Sequence, residues 1–122
     1  MSCRDQIVDR IAILRQRAGL TAKALSLRIN RSSSYIAKVE SRNHFPSIDD
    51  LELIVNACAS SFEELFYENF DSYAIDKEVL KRLKAVTKDG KHAMITLLVL
   101  LQRQDEEFER KEKEKEKGGK KR

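Results

Sequence analysis

The chain has 122 residues, 36% charged and 41% hydrophobic, with four glycines, one proline and no tryptophan. It is the size of one domain, and its poverty of glycine and proline excludes collagen-like, proline-rich and repeat architectures. The net charge of +4 is unevenly spread: residues 1–44 carry +6, residues 45–76 carry −8 with no Lys or Arg, and residues 77–122 carry +6. One basic and one acidic pole follow, either as a docking surface for a polyanion or as an unevenly charged solvated surface.

In chain order, Ile7, Ile11, Leu14 and Ala18 are spaced to form one stripe on a first helix, with Gly19 as its left-handed terminator. Thr21 caps a second helix with Leu25 and Ile29 inward, ended by Asn30, which tolerates the left-handed conformation. Ser32 caps a third helix, in which Ile36 and Val39 face the core while Ser33, Ser34, Tyr35 and Lys38 point out. A loop from Ser41 to Phe45 closes at Pro46. Ser47 then caps a fourth helix bearing Leu51, Ile54, Val55 and Cys58 on one face. Ser61-Phe62-Glu63-Glu64 has the pattern of a capping box and opens a short fifth helix through Phe66.

Residues 67–76 read as a packed strap containing Tyr67, Phe70 and Tyr73. A helix from about Asp76 to Val86 follows, with a break at Lys88-Asp89-Gly90. The last helix starts near Lys91, and its segment Ala93–Leu101 is apolar on nearly every face. That segment is covered within the monomer or by a second copy. The second is favoured because so small a chain has little else to cover it with. It is also less than half of the roughly 20 residues that span a bilayer. The pairs Glu106–Arg110, Glu107–Lys111 and Glu109–Lys113 extend the helix to about residue 115.

The expected fold is therefore all-α: a five-helix domain over residues 1–70, a helical hairpin over 71–115, and a disordered basic tail over 116–122. The charged amino terminus lacks the apolar segment of a signal peptide, which predicts a cytoplasmic protein. Cys3 and Cys58 are too few and too distant for a disulfide scaffold or a zinc site. Phosphate-binding glycine loops, Cys-x-x-Cys and His-Glu-x-x-His are all missing from the sequence, and His44 and His92 lie in different segments. Asp49/Asp50 and Glu63/Glu64 sit in first helical turns, where acidic side chains complement the helix dipole. Neither an enzymatic role nor a cofactor or metal is predicted.

The segment from Ala22 to Val39 carries the remaining signal. Leu25, Ser26, Ile29, Asn30, Ile36 and Val39 supply a small residue where two helices cross, a turn residue that takes positive φ, and apolar anchors. That spacing leaves the third helix protruding, its amino end able to enter a major groove. Residues 7–66 resemble the Cro/repressor-type (XRE) helix-turn-helix family through Leu14–Thr21, Ser34–Glu40, Pro46-Ser47 and Leu51. The recognition helix is similar to that of regulators on conjugative elements of Gram-positive bacteria.

The resemblance implies a DNA-binding transcriptional regulator of bacterial or phage origin, a repressor by default, acting as a homodimer on double-stranded DNA in the nucleoid. It implies base readout by Ser33, Ser34 and Lys38. Backbone contacts fall to Ala22, Lys23, Ser32, Tyr35, Arg42, Asn43 and His44. An ion pair between Arg15 and Glu40 would lock the recognition helix. Ala22 stands where the family often has Gln, and Arg42 where it usually has Gly. Dimerisation is assigned to Met94, Leu97, Leu98 and Leu101. The alternative is an antitoxin-like or adaptor module whose apolar carboxy-terminal helix captures a protein partner.

Overall fold

The computed structural model describes residues 2–120. Among these, seven α-helices and one 3-10 turn occur in the order α1 (Cys3–Arg17), α2 (Ala22–Arg28), α3 (Tyr35–Glu40), α4 (Ile48–Ala57), α5 (Phe62–Phe66), the turn Phe70–Ser72, α6 (Tyr73–Leu83) and α7 (Lys88–Lys120). The expected all-α architecture is the observed one. Two compact units divide at Ile75/Asp76, against the expected boundary after residue 70.

In the first unit, side chains at helical spacing make one core. Ile7, Val8, Ile11 and Leu14 of α1 pack with Leu25, Ile29, Ile36, Val39, Leu51, Ile54, Val55, Cys58 and Leu65. Ala18 is exposed at the end of α1 and not in that stripe. Three caps lie where the sequence puts them. Thr21 accepts from the Ala24 amide at 3.0 Å, Ser47 from Asp50 at 3.1 Å and Ser61 from Glu64 at 3.2 Å.

Four of these helices end in the same way. The two residues after each C-cap donate amides back to the last turn, with the first of them in the left-handed region. Those residues are Gly19 (φ 73°), Asn30 (58°), Arg42 (67°) and Ala59 (55°). Only the first two carry a recognisable sequence signal. The strap is held by Arg10, which donates to the carbonyls of Leu65 (2.8 Å), Tyr67 (2.7 Å) and Glu68 (3.2 Å) and lies over the Phe70 ring.

The second unit departs from expectation in its boundaries. Helix α6, most of which lies in this unit, begins at Tyr73 instead of Asp76, and the break falls at residues 84–87. Lys88-Asp89-Gly90 is the first turn of α7, where Thr87 Oγ1 accepts the Gly90 amide at 3.2 Å. A Cβ at 90 would lie 2.5 Å from Val86 Cγ1, so a side chain there requires Val86 to move. α7 continues through Gly118-Gly119 to Lys120, beyond the expected end near residue 115. Residues 121–122 of the expected tail lie outside the described residues.

Ala59 is exposed, so its methyl group gains nothing from packing while its backbone holds a conformation costly for L-residues. Ala59→Gly should stabilise the protein by about 1 kcal/mol, net of the extra unfolded-chain entropy of glycine. Urea denaturation measures this, and a loss of stability would contradict the assignment.

Candidate nucleic-acid interface

The α2–α3 pair is joined by a buried hydroxyl. Ser26 is fully buried; its Oγ donates to the Ala22 carbonyl at 2.7 Å and accepts the Ile36 amide at 2.9 Å. The first amides of a helix lack partners within it. In α3 the N-cap residue is Ser34, whose side chain makes no capping bond, so Ser26 serves Ile36 from the neighbouring helix. Ser32 is accordingly not the cap that the sequence suggests. Its carbonyl accepts the Tyr35 amide at 3.0 Å, and α3 begins three residues later than Ser32.

Two ionic contacts fix α3 at its ends. Arg15 Nε donates to Glu40 Oε1 at 2.7 Å and Nη2 to Oε2 at 3.3 Å, while Nη1 donates to the Leu20 carbonyl at 2.9 Å. This links α1, the turn into α2 and the end of α3. At the other end, Asp50 of α4, 8% exposed, accepts from Arg31 and from the Tyr35 hydroxyl, the latter at 2.6 Å. The Arg31 guanidinium, then the Tyr35 hydroxyl, hold the Asp50 carboxyl below the ordinary carboxylate range. Burial, reinforced by that carboxylate, raises the Tyr35 phenol well above its ordinary value, so it remains a donor.

Asp50 and Glu64 thus do more than complement helix dipoles. Glu64 is also buried, and receives both Nη atoms of Arg17 at 3.0 and 2.7 Å and the Ser60 hydroxyl at 2.6 Å. The arginine partners of these carboxylates lie 19 and 47 residues away in the chain. No local periodicity reports such a pairing.

The residues assigned to DNA fall into two groups. Ser32, Ser33, Ser34 and Lys38 are exposed at and before α3, and Asn43 and His44 are exposed in the loop after it. That loop folds back on α3, with the Lys38 carbonyl accepting the amides of Asn43 (3.0 Å) and His44 (3.2 Å). Lys23 is exposed near the start of α2, while Ala22 is half-buried against the core.

Tyr35 departs from the outward placement, and Arg42, though exposed, is already paired. Tyr35 is half-buried, bonded to Asp50, and in edge contact with His44 at 5.4 Å. Arg42 is bound to α1 through Asp5 (2.7 Å) and Asp9 (2.8 Å). The exposed face of α3 consists of Ser34, Ala37, Lys38 and Ser41, spaced i, i+3, i+4, i+7. Ala37 was missed although helical spacing alone places it beside Lys38.

Internal pairing uses up much of the basic segment. Arg15, Arg17, Arg31 and Arg42 are bonded to carboxylates, and Arg10 to carbonyls. Arg4, Lys23, Arg28 and Lys38 are exposed and make no such bond among the described residues, Arg4 lying over the Phe45 ring. In the second unit, Leu97, Leu98 and Leu101 are roughly half exposed. Met94 lines an apolar hollow of about 260 Å³ with Val79, Leu83 and Val86. Among the described residues, no group of His, Cys, Asp or Glu is placed to hold a metal ion, and no helix is long and apolar enough to cross a membrane.

The lowered Asp50 pKa sets a pH dependence. A carboxyl more acidic in the folded than in the unfolded chain contributes fully above its unfolded value near ~3.9, and loses that contribution as pH falls through the folded value. Unfolding free energy should therefore decline below about pH 4. Asp50→Asn should flatten that decline; an identical slope in the variant would contradict the role given to this carboxylate.

No curated protein and no solved structure matches the chain. A family model described as a helix-turn-helix domain matches residues 6–65. The match spans α1 to α5 and includes the Ser26-bridged pair. Residues 6–65 are thus a helix-turn-helix domain of the XRE/Cro-like DNA-binding family.

Proposed function

We propose that the chain is a sequence-specific transcriptional repressor that binds double-stranded DNA as a homodimer, with α3 in the major groove. The supporting observation is the polar, exposed face Ser34–Ala37–Lys38–Ser41 on a helix held by Ser26, Glu40 and the Asp50 cluster. A surface built for reading needs both features, because positioning within a fraction of an ångström decides whether a side chain meets a base edge.

Lys38 reads guanine, Ser33 and Ser34 contribute weaker hydrogen bonds, and the Ala37 methyl group meets a thymine methyl. Lys23, Ser32, Asn43 and His44 contact the backbone. The amides of Ala22 and Lys23 approach a phosphate, and Arg42 reaches one by releasing its carboxylates. Tyr35 acts by holding the start of α3 against Asp50. Half-exposed Leu97, Leu98 and Leu101 pair with a second copy, which sets the two α3 helices about 34 Å apart on a palindromic site. An antitoxin-like or adaptor role is the competing reading, in which that segment holds a different protein. A shift of the DNA fragment by the purified chain alone, with dimer mass in solution, separates the two.

Lys38→Ala should cost about 1–3 kcal/mol on the preferred site and relax specificity at one base pair per half-site. Lys23→Ala should weaken all sequences alike and reduce the salt dependence. Selection from a random-sequence pool with each variant measures both effects. A uniform loss for Lys38→Ala would contradict its assignment to base readout.

A further inference from the structure

Arg42 is a large cation in the loop that folds over the last turn of α3, yet its guanidinium is already occupied by two carboxylates. Nε donates to Asp5 Oδ1 at 2.7 Å and Nη2 to Asp9 Oδ1 at 2.8 Å. All three side chains are substantially exposed: 45% for Arg42, 37% for Asp5 and 47% for Asp9. Asp5 and Asp9 are four apart on α1, so they stand on one face and together offer the guanidinium two oxygens. Two carboxylates held this way offer the guanidinium the anionic oxygens that a phosphate would otherwise supply.

Arg42 sits at φ 67°, with its amide donating to the Val39 carbonyl, so the backbone fixes where its side chain starts. An exposed ion pair contributes little to stability and is readily exchanged. The same guanidinium is therefore available to a phosphate once one is presented.

We propose that Asp5 and Asp9 are affinity-limiting residues: they occupy Arg42 in the free protein and compete with the DNA backbone for it. The proposal rests on the DNA-binding reading above. Binding exchanges one carboxylate-bound arginine for a phosphate-bound one, so that contact yields less net affinity and releases fewer counterions than an unpaired arginine would. The chain thereby limits its grip on non-cognate DNA while keeping base readout on α3 unchanged.

A double-mutant cycle tests this, using a duplex recovered by selection from a random pool and a non-selected duplex of equal length. Asp5→Asn/Asp9→Asn should bind both duplexes about three- to tenfold more tightly. Its salt dependence should steepen by about one phosphate contact per protomer. The same pair of substitutions in an Arg42→Ala background should change binding less than about twofold. Thermal denaturation of each variant verifies folding, and Arg42→Gln supplies an uncharged background if Arg42→Ala unfolds. Equal tightening in the presence and absence of Arg42 would overturn the inference, since it would reflect only the removal of negative charge. No tightening in either background would overturn it as well. If the unaltered chain binds neither duplex, the functional reading falls and this inference falls with it.

Discussion

Much of the first unit is organised around one buried hydroxyl. A six-residue helix such as α3 is too short to be stable alone, and its first amides need acceptors from elsewhere. Ser26 supplies one at 2.9 Å while remaining small enough to lie between two closely crossing helices. An alanine would fit the space but leave the Ile36 amide buried and unpaired, and a larger residue would separate the helices. The requirement is therefore for a small residue that is also an acceptor. The Arg15–Glu40 and Arg31–Asp50–Tyr35 contacts then tie α3 to α1 and α4, leaving its polar face outward as a rigid surface.

The same contacts reshape the electrostatics. A sequence with +6 over residues 1–44 suggests a broadly cationic surface, but four of its arginines neutralise carboxylates within the fold. Among the described residues, those facing solvent without a carboxylate or carbonyl partner are a smaller set, Arg4, Lys23, Arg28 and Lys38, with Arg4 lying over the Phe45 ring. The acidic segment is correspondingly less acidic than its −8 implies, because Asp50 and Glu64 lie buried against Arg31 and Arg17. Charge here builds the domain first and leaves a remainder for recognition.

The five-helix architecture was legible because its signals are local. Apolar side chains recur at helical spacing, and Thr21, Ser47 and Ser61 cap where their side chains must. Gly19 and Asn30 mark two of the left-handed helix ends, but Arg42 and Ala59 take the same conformation with no residue type to announce it. The start of α3 was misplaced because its amide partner, Ser26, is ten residues upstream on another helix. Tyr35 looked outward on periodicity alone, whereas its hydroxyl is directed to Asp50, fifteen residues away. Gly90 read as a break, yet its lack of a Cβ serves the approach of Val86. For the start of α3 and for Tyr35, the missing information was a contact with a residue on another helix.

The central claim is that a rigidly held α3 carries the recognition surface. Titrating isotope-labelled chain with a selected duplex, while following every backbone amide by NMR, tests it most directly. The account predicts that shifts concentrate at residues 22–23, 32–38 and 41–44, while the Ile36 amide stays protected from exchange throughout. Shifts confined to residues 93–101, or rapid exchange at Ile36, would contradict it.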